Sequence, residues 1–244
     1  MRGIQKNILR CSNFFNIVKI FTLCKNTRMN ATTQSVREQN MQKRRERILA
    51  EARELLARDG YDGLNLRDLA RRADITVPTI YNLIGNKEEM LLALADEVLA
   101  EIEARMPDTA KAEPLAAAAA VVTESTRLFA ENADYYRSAF LAVESLDQSG
   151  QHHHDVERVY AWAETLMHRG ISACTKAGLL RGRVSPAQMS RLMTRSFRMN
   201  CRAWAFGHRS IESFREQALD DLYLILAADA VETFHARLLR KLDK

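Results

Sequence analysis

Apolar residues recur every three or four positions along most of the sequence, which is the spacing of amphipathic helices. A first helix is predicted from about Gln39 to Arg58, with Gly60 as its C-terminal stop. Its buried face is marked by Ile48, Ala52, Leu55 and Leu56. Because no run of alternating β-branched residues competes, and glycine and proline are few, the sequence predicts an all-α protein.

The segment Asn65–Met90 predicts two short helices joined by a tight turn. The first helix buries Leu66, Leu69, Ala70 and Ala73. The turn is formed by Asp74 and Ile75. Thr76 is the predicted N-cap of the second helix, and its hydroxyl is expected to accept a hydrogen bond from an amide of the following turn. Pro78 is tolerated in a first helical turn, so this second helix is predicted over Val77–Ile84.

Another capped helix is predicted directly after this motif. Asn86 is its expected N-cap, and Glu88 and Glu89 are favourably placed in its first turn. Its buried stripe consists of Met90, Leu94, Val98 and Ile102. Two helices with a tight turn and a capped third helix are typical of a helix-turn-helix DNA reader.

Pro107–Pro114 is the clearest break in the sequence. It separates a predicted helix-turn-helix domain, residues 39–106, from a predicted helical domain, residues 114–244. In the second domain the predicted helices span residues 115–131, 134–147, 155–177, 186–206 and 211–241. The run Ala116–Ala120 is interpreted as a closely packed stretch of helix.

Residues 1–38 differ from the rest, since the first 28 are rich in Asn, Phe, Ile and Lys. We expect an unfolded N-terminal extension, with translation starting at Met29; the alternative is a basic arm that lies along DNA. The formal net charge is +5, but residues 1–37 hold seven Lys or Arg and no Asp or Glu, which leaves the remainder at −2. The basic pI therefore does not by itself indicate nucleic-acid binding.

The cysteine pattern matches neither a zinc site nor a small disulfide framework, because the four residues are widely spaced. They are Cys11, Cys24, Cys174 and Cys201. We expect free thiols in a reducing cytoplasm and no cofactor. Phe14–Cys24 is the most apolar segment, but Asn16 and Lys19 interrupt it, so neither a membrane span nor a cleaved signal is expected.

The region of about residues 44–95 resembles the tetracycline-repressor (TetR) family of bacterial transcription regulators. The matching residues are Gly60, Tyr61, Leu69, Ala70, Ala73, Ile75, Thr76, Tyr81, Lys87, Glu88 and Leu91. The resemblance implies a homodimer that binds a palindromic operator in double-stranded DNA, with a C-terminal helical domain for a small-molecule effector and for dimerisation. A cytoplasmic repressor is the expected function.

The resemblance also implies which residues contact DNA. Base edges and adjacent phosphates are assigned to Thr76, Val77, Pro78 and Thr79, and phosphates alone to Tyr81 and Lys87. Weaker candidates for phosphate contacts are Arg44, Arg45 and Arg67. The sequence departs from the family at Asp74, where glycine is usual, and at Asn82, Leu83 and Ile84, which alter the contact surface beyond Tyr81. Asp can adopt the left-handed conformation that the turn requires.

Candidate effector-binding residues in the second domain are Tyr136, Phe140, Trp162, Met167, Phe197, Arg198 and Trp204. The alternative is that they are ordinary core residues. Four arginines, Arg191, Arg195, Arg198 and Arg202, share one side of a predicted helix. They indicate a pocket for an anion, such as a carboxylate or an acyl thioester, or ion pairs with Glu212, Glu216, Asp220 and Asp221, or simple exposure to solvent.

Dimerisation is assigned to the last two predicted helices. An apolar row on the final helix consists of Leu222, Leu226, Ala230 and Phe234, and the alternative role of this row is a core face. His152, His153 and His154 are consecutive and lack further ligands, so no metal site is expected. No phosphate loop or nucleophile elbow indicates an enzyme. A regulator that responds to a protein partner instead of a small molecule stays open.

Overall fold

Helices make up the regular structure of the part of the chain that the structure describes. The computed structural model describes residues 36–150 and 152–243. Its helices are α1 (Val36–Gly63), α2 (Leu66–Arg72), α3 (Val77–Leu83), α4 (Lys87–Arg105), α5 (Pro114–Glu131), α6 (Ala133–Ser149), α7 (His153–Lys176), α8 (Pro186–Ala205), α9 (Ile211–Ala227) and α10 (Glu232–Leu242). The all-α prediction is confirmed. No helix within these ranges is long and apolar enough to cross a membrane.

Helix α1 already includes Val36, the first described residue, so it extends further towards the N-terminus than the predicted start near Gln39. Its predicted apolar face is buried, and Gly60 interrupts it with φ 68, a left-handed conformation that favours glycine. The predicted start at Met29 and the segment Phe14–Cys24 lie outside the described residues. Contacts divide the chain after Gln42, and residues 43–244 form one compact unit.

Helices α5 and α7 approach each other closely at a run of small residues. Ala117, Ala118 and Ala120 are buried, and a Cβ atom added at Gly170 of α7 would lie 2.5 Å from the Ala117 carbonyl oxygen. The interpretation of the alanine run as closely packed helix is therefore confirmed. This contact fixes the position of α5 against α7, because helix backbones approach this closely only where side chains are absent or small.

The predicted final helix over residues 211–241 is wrong, because the chain leaves helical geometry between Ala227 and Glu232. Buried Asp229 accepts hydrogen bonds from the amides of Gly182 at 2.8 Å and Arg183 at 3.0 Å, which ties the break to the loop after α7. The predicted apolar row is divided between α9, α10 and their connection. All four members, Leu222, Leu226, Ala230 and Phe234, are core residues of this chain.

Candidate nucleic-acid interface and ligand cavity

The turn between α2 and α3 is held by a side chain of α1. Asp74 has φ 51, so it adopts the left-handed conformation expected where the TetR family carries glycine. The Arg47 guanidinium donates hydrogen bonds to the carbonyl oxygens of Ala73 and, at 3.2 Å, of Asp74. Asn65 caps α2, since its Oδ1 accepts from the Arg67 amide at 2.8 Å. These bonds orient α2 and α3 relative to α1.

Thr76 is the N-cap of α3, but its hydroxyl does not accept a backbone amide as predicted. The Thr79 amide already donates to the Thr76 carbonyl oxygen at 2.9 Å, so the Thr76 hydroxyl is left to pair with the Thr79 hydroxyl, also at 2.9 Å. Both hydroxyls therefore lie side by side at the start of α3.

A cationic cleft of ≈ 540 Å³ lies beside these two threonines. It is lined by Lys43, Arg44, Arg47, Asp74, Ile75, Thr76 and Thr79. Arg45 is absent from this wall, because a step of about 100° per residue turns it away from the face that Lys43, Arg44 and Arg47 share. The charge of Arg45 instead affects the carboxyl pKa of Asp96 in α4. Burial raises that pKa, and the positive charges of Arg158 and Arg45 lower it.

The remaining predicted contact residues lie around the exposed side of α3 and the start of α4. Tyr81 is 55% exposed, so it is not a core residue. Arg67, Pro78 and Asn82 are exposed, and Val77 is half-buried. Lys87 Nζ lies 4.1 Å from the centroid of the Tyr61 ring. The capping box predicted at α4 is present, with the Glu89 amide 2.7 Å from Asn86 Oδ1.

A second site is a mainly apolar cavity of ≈ 130 Å³ between α4, α5, α6, α7 and α8. Five of the predicted effector residues line it: Tyr136, Phe140, Met167, Phe197 and Arg198. Burial raises the pKa of Tyr136 to about 12, so its hydroxyl is neutral. A small apolar compartment with few polar groups is the usual form of a binding site for a small molecule.

Comparison with known proteins bears first on the helix-turn-helix unit. Residues 48–94 match the family model of bacterial regulatory proteins, tetR family. Over 56 residues the chain is 46% identical to the class D tetracycline repressor of Escherichia coli, a match that covers 23% of this chain and 26% of that repressor. The chain resembles the TetR family over its helix-turn-helix unit. It spans about a quarter of the length of the curated TetR relatives that it matches.

Solved TetR-family structures share the fold over most of the chain. SmeT, the repressor of the Stenotrophomonas maltophilia multidrug efflux pump SmeDEF, is 20% identical with a TM-score of 0.61, covering 78% of this chain and 92% of that one. FadR of Bacillus subtilis, solved with stearoyl-CoA, is 17% identical with a TM-score of 0.59, covering 74% of this chain and 97% of that one. The likeness at these identities concerns the fold alone.

Two predicted effector residues, Trp162 and Trp204, lie away from the cavity. The Trp162 indole donates to Glu103 Oε2 at 3.1 Å, which ties α7 to α4. Trp204 is fully buried and stacks on Phe129 with 5.4 Å between ring centroids. Aromatic residues satisfy core packing as readily as ligand contact, so composition alone did not separate the two roles.

Other cavity residues were not predicted. Helix α4 contributes an entire wall, with Leu91, Ala95, Val98, Leu99 and Ile102. Ser125 of α5 and Thr194 of α8 add hydroxyls. Ser125 had a sequence signal, because it interrupts the otherwise apolar row that contains Val121, Val122 and Phe129. The α4 wall had none beyond its apolar stripe, since periodicity does not distinguish a cavity wall from a filled core.

Two members of the α8 arginine stripe, Arg198 and Arg202, pair with α6 and not with the acidic residues predicted as their partners. Arg198 Nε lies 2.6 Å from Glu144 Oε1 and its Nη2 lies 2.7 Å from Asp147 Oδ2. Arg202 Nη1 lies 3.1 Å from Glu144 Oε2. The Arg198 hydrogen bond lowers the pKa of Asp147. Helix α8 turns this side towards α6, whereas Arg191 and Arg195 are exposed.

Proposed function

We propose that this chain is a cytoplasmic, homodimeric transcriptional repressor that binds a palindromic operator and is released by a small-molecule effector. The observation that carries the proposal is the cationic cleft at the start of α3, where Lys43, Arg44 and Arg47 of α1 face the α2–α3 turn of the segment that matches the TetR family. Lys43, Arg44 and Arg47 supply positive charge beside the paired hydroxyls of Thr76 and Thr79. Such a surface fits the phosphates that flank a major groove.

The exposed side of α3 carries the proposed sequence reading. Thr76, Val77, Pro78 and Thr79 meet base edges, and the apolar pair favours thymine methyl groups. Tyr81 and Asn82 extend the contact surface towards the neighbouring phosphates. Lys87 is proposed as a further phosphate contact, because it lies at the start of α4, next to the exposed side of α3, with its ammonium over the Tyr61 ring.

We propose that the dimer forms through α8. The apolar row of Leu222, Leu226, Ala230 and Phe234 is buried within one chain and is not available for an interface. Leu192 and Met199 are 55% and 63% exposed and lie seven residues apart, so they share one face of α8. Phe206, directly after α8, and Leu224 of α9 are exposed apolar residues as well. Exposed apolar side chains grouped on one helix face favour an interface between identical subunits.

Coupling between cavity and DNA reader is proposed to run through α4. One face of α4 lines the cavity, and Glu97 on this helix pairs with Arg53 of α1 at 2.5 Å. An effector that displaces α4 would therefore move α1 and change the separation of the two recognition helices. A coupling free energy of about 1–3 kcal/mol corresponds to a roughly 5- to 150-fold loss of operator affinity.

The experiment that tests the proposal is selection of bound fragments from the source genome by the purified full-length protein. We expect enrichment of fragments with two symmetric half-sites about 34–36 Å apart. Loss of enrichment in Arg44→Ala/Thr79→Ala, with unchanged circular dichroism, supports the cleft as the contact surface. Fragments recovered without any shared sequence would refute an operator-binding role.

The dimer is tested separately by sedimentation. Leu192→Asp and Met199→Asp place charges on the proposed interface and should shift the protein to monomers. Leu239→Asp is the matched control, because Leu239 is an exposed apolar residue of α10 away from α8. Equal sedimentation of all three variants would contradict the α8 interface.

A further inference from the structure

Two buried hydroxyls in the cavity lack hydrogen-bond partners among the described residues: Ser125 Oγ and Thr194 Oγ1. Ser125 is 1% exposed and Thr194 Oγ1 is buried. Neighbouring Thr126 differs, because its hydroxyl donates to the Val122 carbonyl oxygen at 2.8 Å. A buried hydroxyl without a partner costs free energy, so two of them in one cavity wall indicate a ligand that supplies a partner.

The only formally charged residue in the cavity wall, within the part of the chain described here, is Arg198. Its charge is matched by Glu144 and Asp147, and its guanidinium carbon lies 4.1 Å from the centroid of the Tyr160 ring. Tyr160 itself donates to Glu144 Oε1 at 2.5 Å. A carboxylate or phosphate entering beside Arg198 would have to displace two carboxylates that already hold it.

The other titratable groups of the wall are neutral. Burial raises the pKa of the Cys201 thiol well above its usual value, and burial together with the Glu144 hydrogen bond raises the pKa of Tyr160. The cavity therefore offers hydroxyls and apolar surface and no uncompensated charge. Its ≈ 130 Å³ is close to the roughly 150 Å³ of an engineered apolar cavity that holds benzene.

We infer that the cavity binds a neutral, mainly apolar molecule of about the size of one aromatic ring, whose single polar group pairs with Ser125 and Thr194. The inference rests on the proposed effector role of this cavity and adds the chemical class of the ligand. It replaces the anionic effector that the arginine stripe suggested, because Glu144 and Asp147 take up the charge of Arg198.

Three probes that share one ring separate the alternatives: benzyl alcohol, toluene and benzoate. The full-length protein is titrated with each probe, and the dissociation constants are measured by ligand-detected NMR. We expect the affinities to fall in the order benzyl alcohol, toluene, benzoate, with about 3- to 10-fold between the first two. Tighter binding of benzoate than of benzyl alcohol, or no binding of any probe, would overturn the inference.

Substitutions at Ser125 and Thr194 test whether these hydroxyls bind the polar group of the ligand. Ser125→Ala and Thr194→Val should each weaken benzyl alcohol about 3- to 10-fold and leave toluene unchanged. Thr126→Val is the matched control, because its hydroxyl is already bonded within α5. Ser125→Ala should also keep or raise the free energy of unfolding, since it removes an unpartnered group. An equal loss for toluene would assign the hydroxyls to cavity shape and overturn their proposed role.

Glu144→Gln tests whether carboxylates neutralise the charge of Arg198 in the cavity wall. This change removes one of the two carboxylates that hold Arg198, so benzoate should gain affinity while toluene does not. An unchanged benzoate affinity would contradict the proposed charge balance. Operator release is measured in parallel: probes that bind with the expected pattern and leave the protein on DNA would refute the effector role and keep the ligand assignment.

Discussion

Arg53 of α1 and Glu97 of α4 form an ion pair, with 2.5 Å between Arg53 Nη2 and Glu97 Oε2. Helix α4 is also tied to α7, because Arg158 pairs with Asp96 at 3.1 Å and Arg169 pairs with Glu103 at 2.6 Å. Helix α4 thus contacts α1 on one side and the helices around the cavity on the other.

The Arg53–Glu97 pair is expected to make a small contribution to stability, because both side chains are partly exposed. A double-mutant cycle with Arg53→Gln and Glu97→Gln should give a coupling of about 0.2–1 kcal/mol, and added salt should reduce it. The free energy of unfolding in urea measures this coupling. A value that does not change with salt would argue against an electrostatic link.

Arg44 and Arg45 are expected to differ in DNA binding although they are neighbours. Arg44 lines the cationic cleft and Arg45 does not, so Arg44→Ala should lower the slope of log affinity against log salt by about 1. Arg45→Ala serves as the control of equal charge and should keep the slope. Fluorescence anisotropy with a labelled duplex measures both, and equal slopes for the two variants would contradict the assignment.

Asp74 is expected to carry a conformational cost at φ 51. Asp74→Gly should raise the free energy of unfolding by up to about 1 kcal/mol, because glycine adopts this conformation without a Cβ clash. Asp74→Asn controls for the charge and should stay near wild type, whereas Asp74→Val should lower stability. Urea titrations measure the free energy of unfolding of each variant. Equal stability of Asp74→Val and Asp74→Gly would contradict the expected conformational cost.

Gly170 is expected to tolerate no side chain. A methyl group there would lie 2.5 Å from the Ala117 carbonyl oxygen, so Gly170→Ala should cost about 1–3 kcal/mol of stability. Thr165→Ala, at an exposed position of the same helix, should stay within about 0.5 kcal/mol. Thermal and urea unfolding check this pair of variants, and a Gly170→Ala protein as stable as wild type would contradict the close α5–α7 contact.

The thiols of Cys174 and Cys201 are expected to resist alkylation in the folded protein. Burial raises the pKa of Cys174 to about 12 and raises that of Cys201 well above its usual value. Since only the thiolate reacts, both should stay unmodified by iodoacetamide at pH 8 and become reactive in urea. Mass spectrometry of the two peptides measures this. Rapid labelling of either thiol in native buffer would contradict its burial, and labelling of Cys201 would indicate that the cavity opens.

Much of the fold was predictable because its determinants are local. The apolar face of α1, the stop at Gly60, the left-handed Asp74 and the caps at Asn65 and Asn86 each depend on a few neighbouring residues. The break between α9 and α10 was not predictable, since it depends on Asp229 accepting amides from a loop nearly fifty positions earlier in the chain, at Gly182 and Arg183.

The candidate sites were also predictable only where they depend on neighbouring residues in the sequence. The start of α3 follows from sequence spacing, whereas the partners of Arg198 follow from which helix α8 packs against. The spacing of apolar residues predicts which side of a helix is buried, but it does not predict which other element packs against that side. For the same reason, Trp162 and Trp204 could not be separated from Phe140 and Phe197 before the packing was known.

Sequence-selective DNA binding is the main property proposed for this protein, and a competition experiment measures it. Wild-type protein is bound to the palindrome recovered from genomic selection and challenged with a scrambled duplex of equal length and composition at physiological salt. We expect the protein to bind the palindrome with at least about 10³-fold higher affinity than the scrambled duplex. A ratio near one, with equal salt dependence on both duplexes, would contradict it.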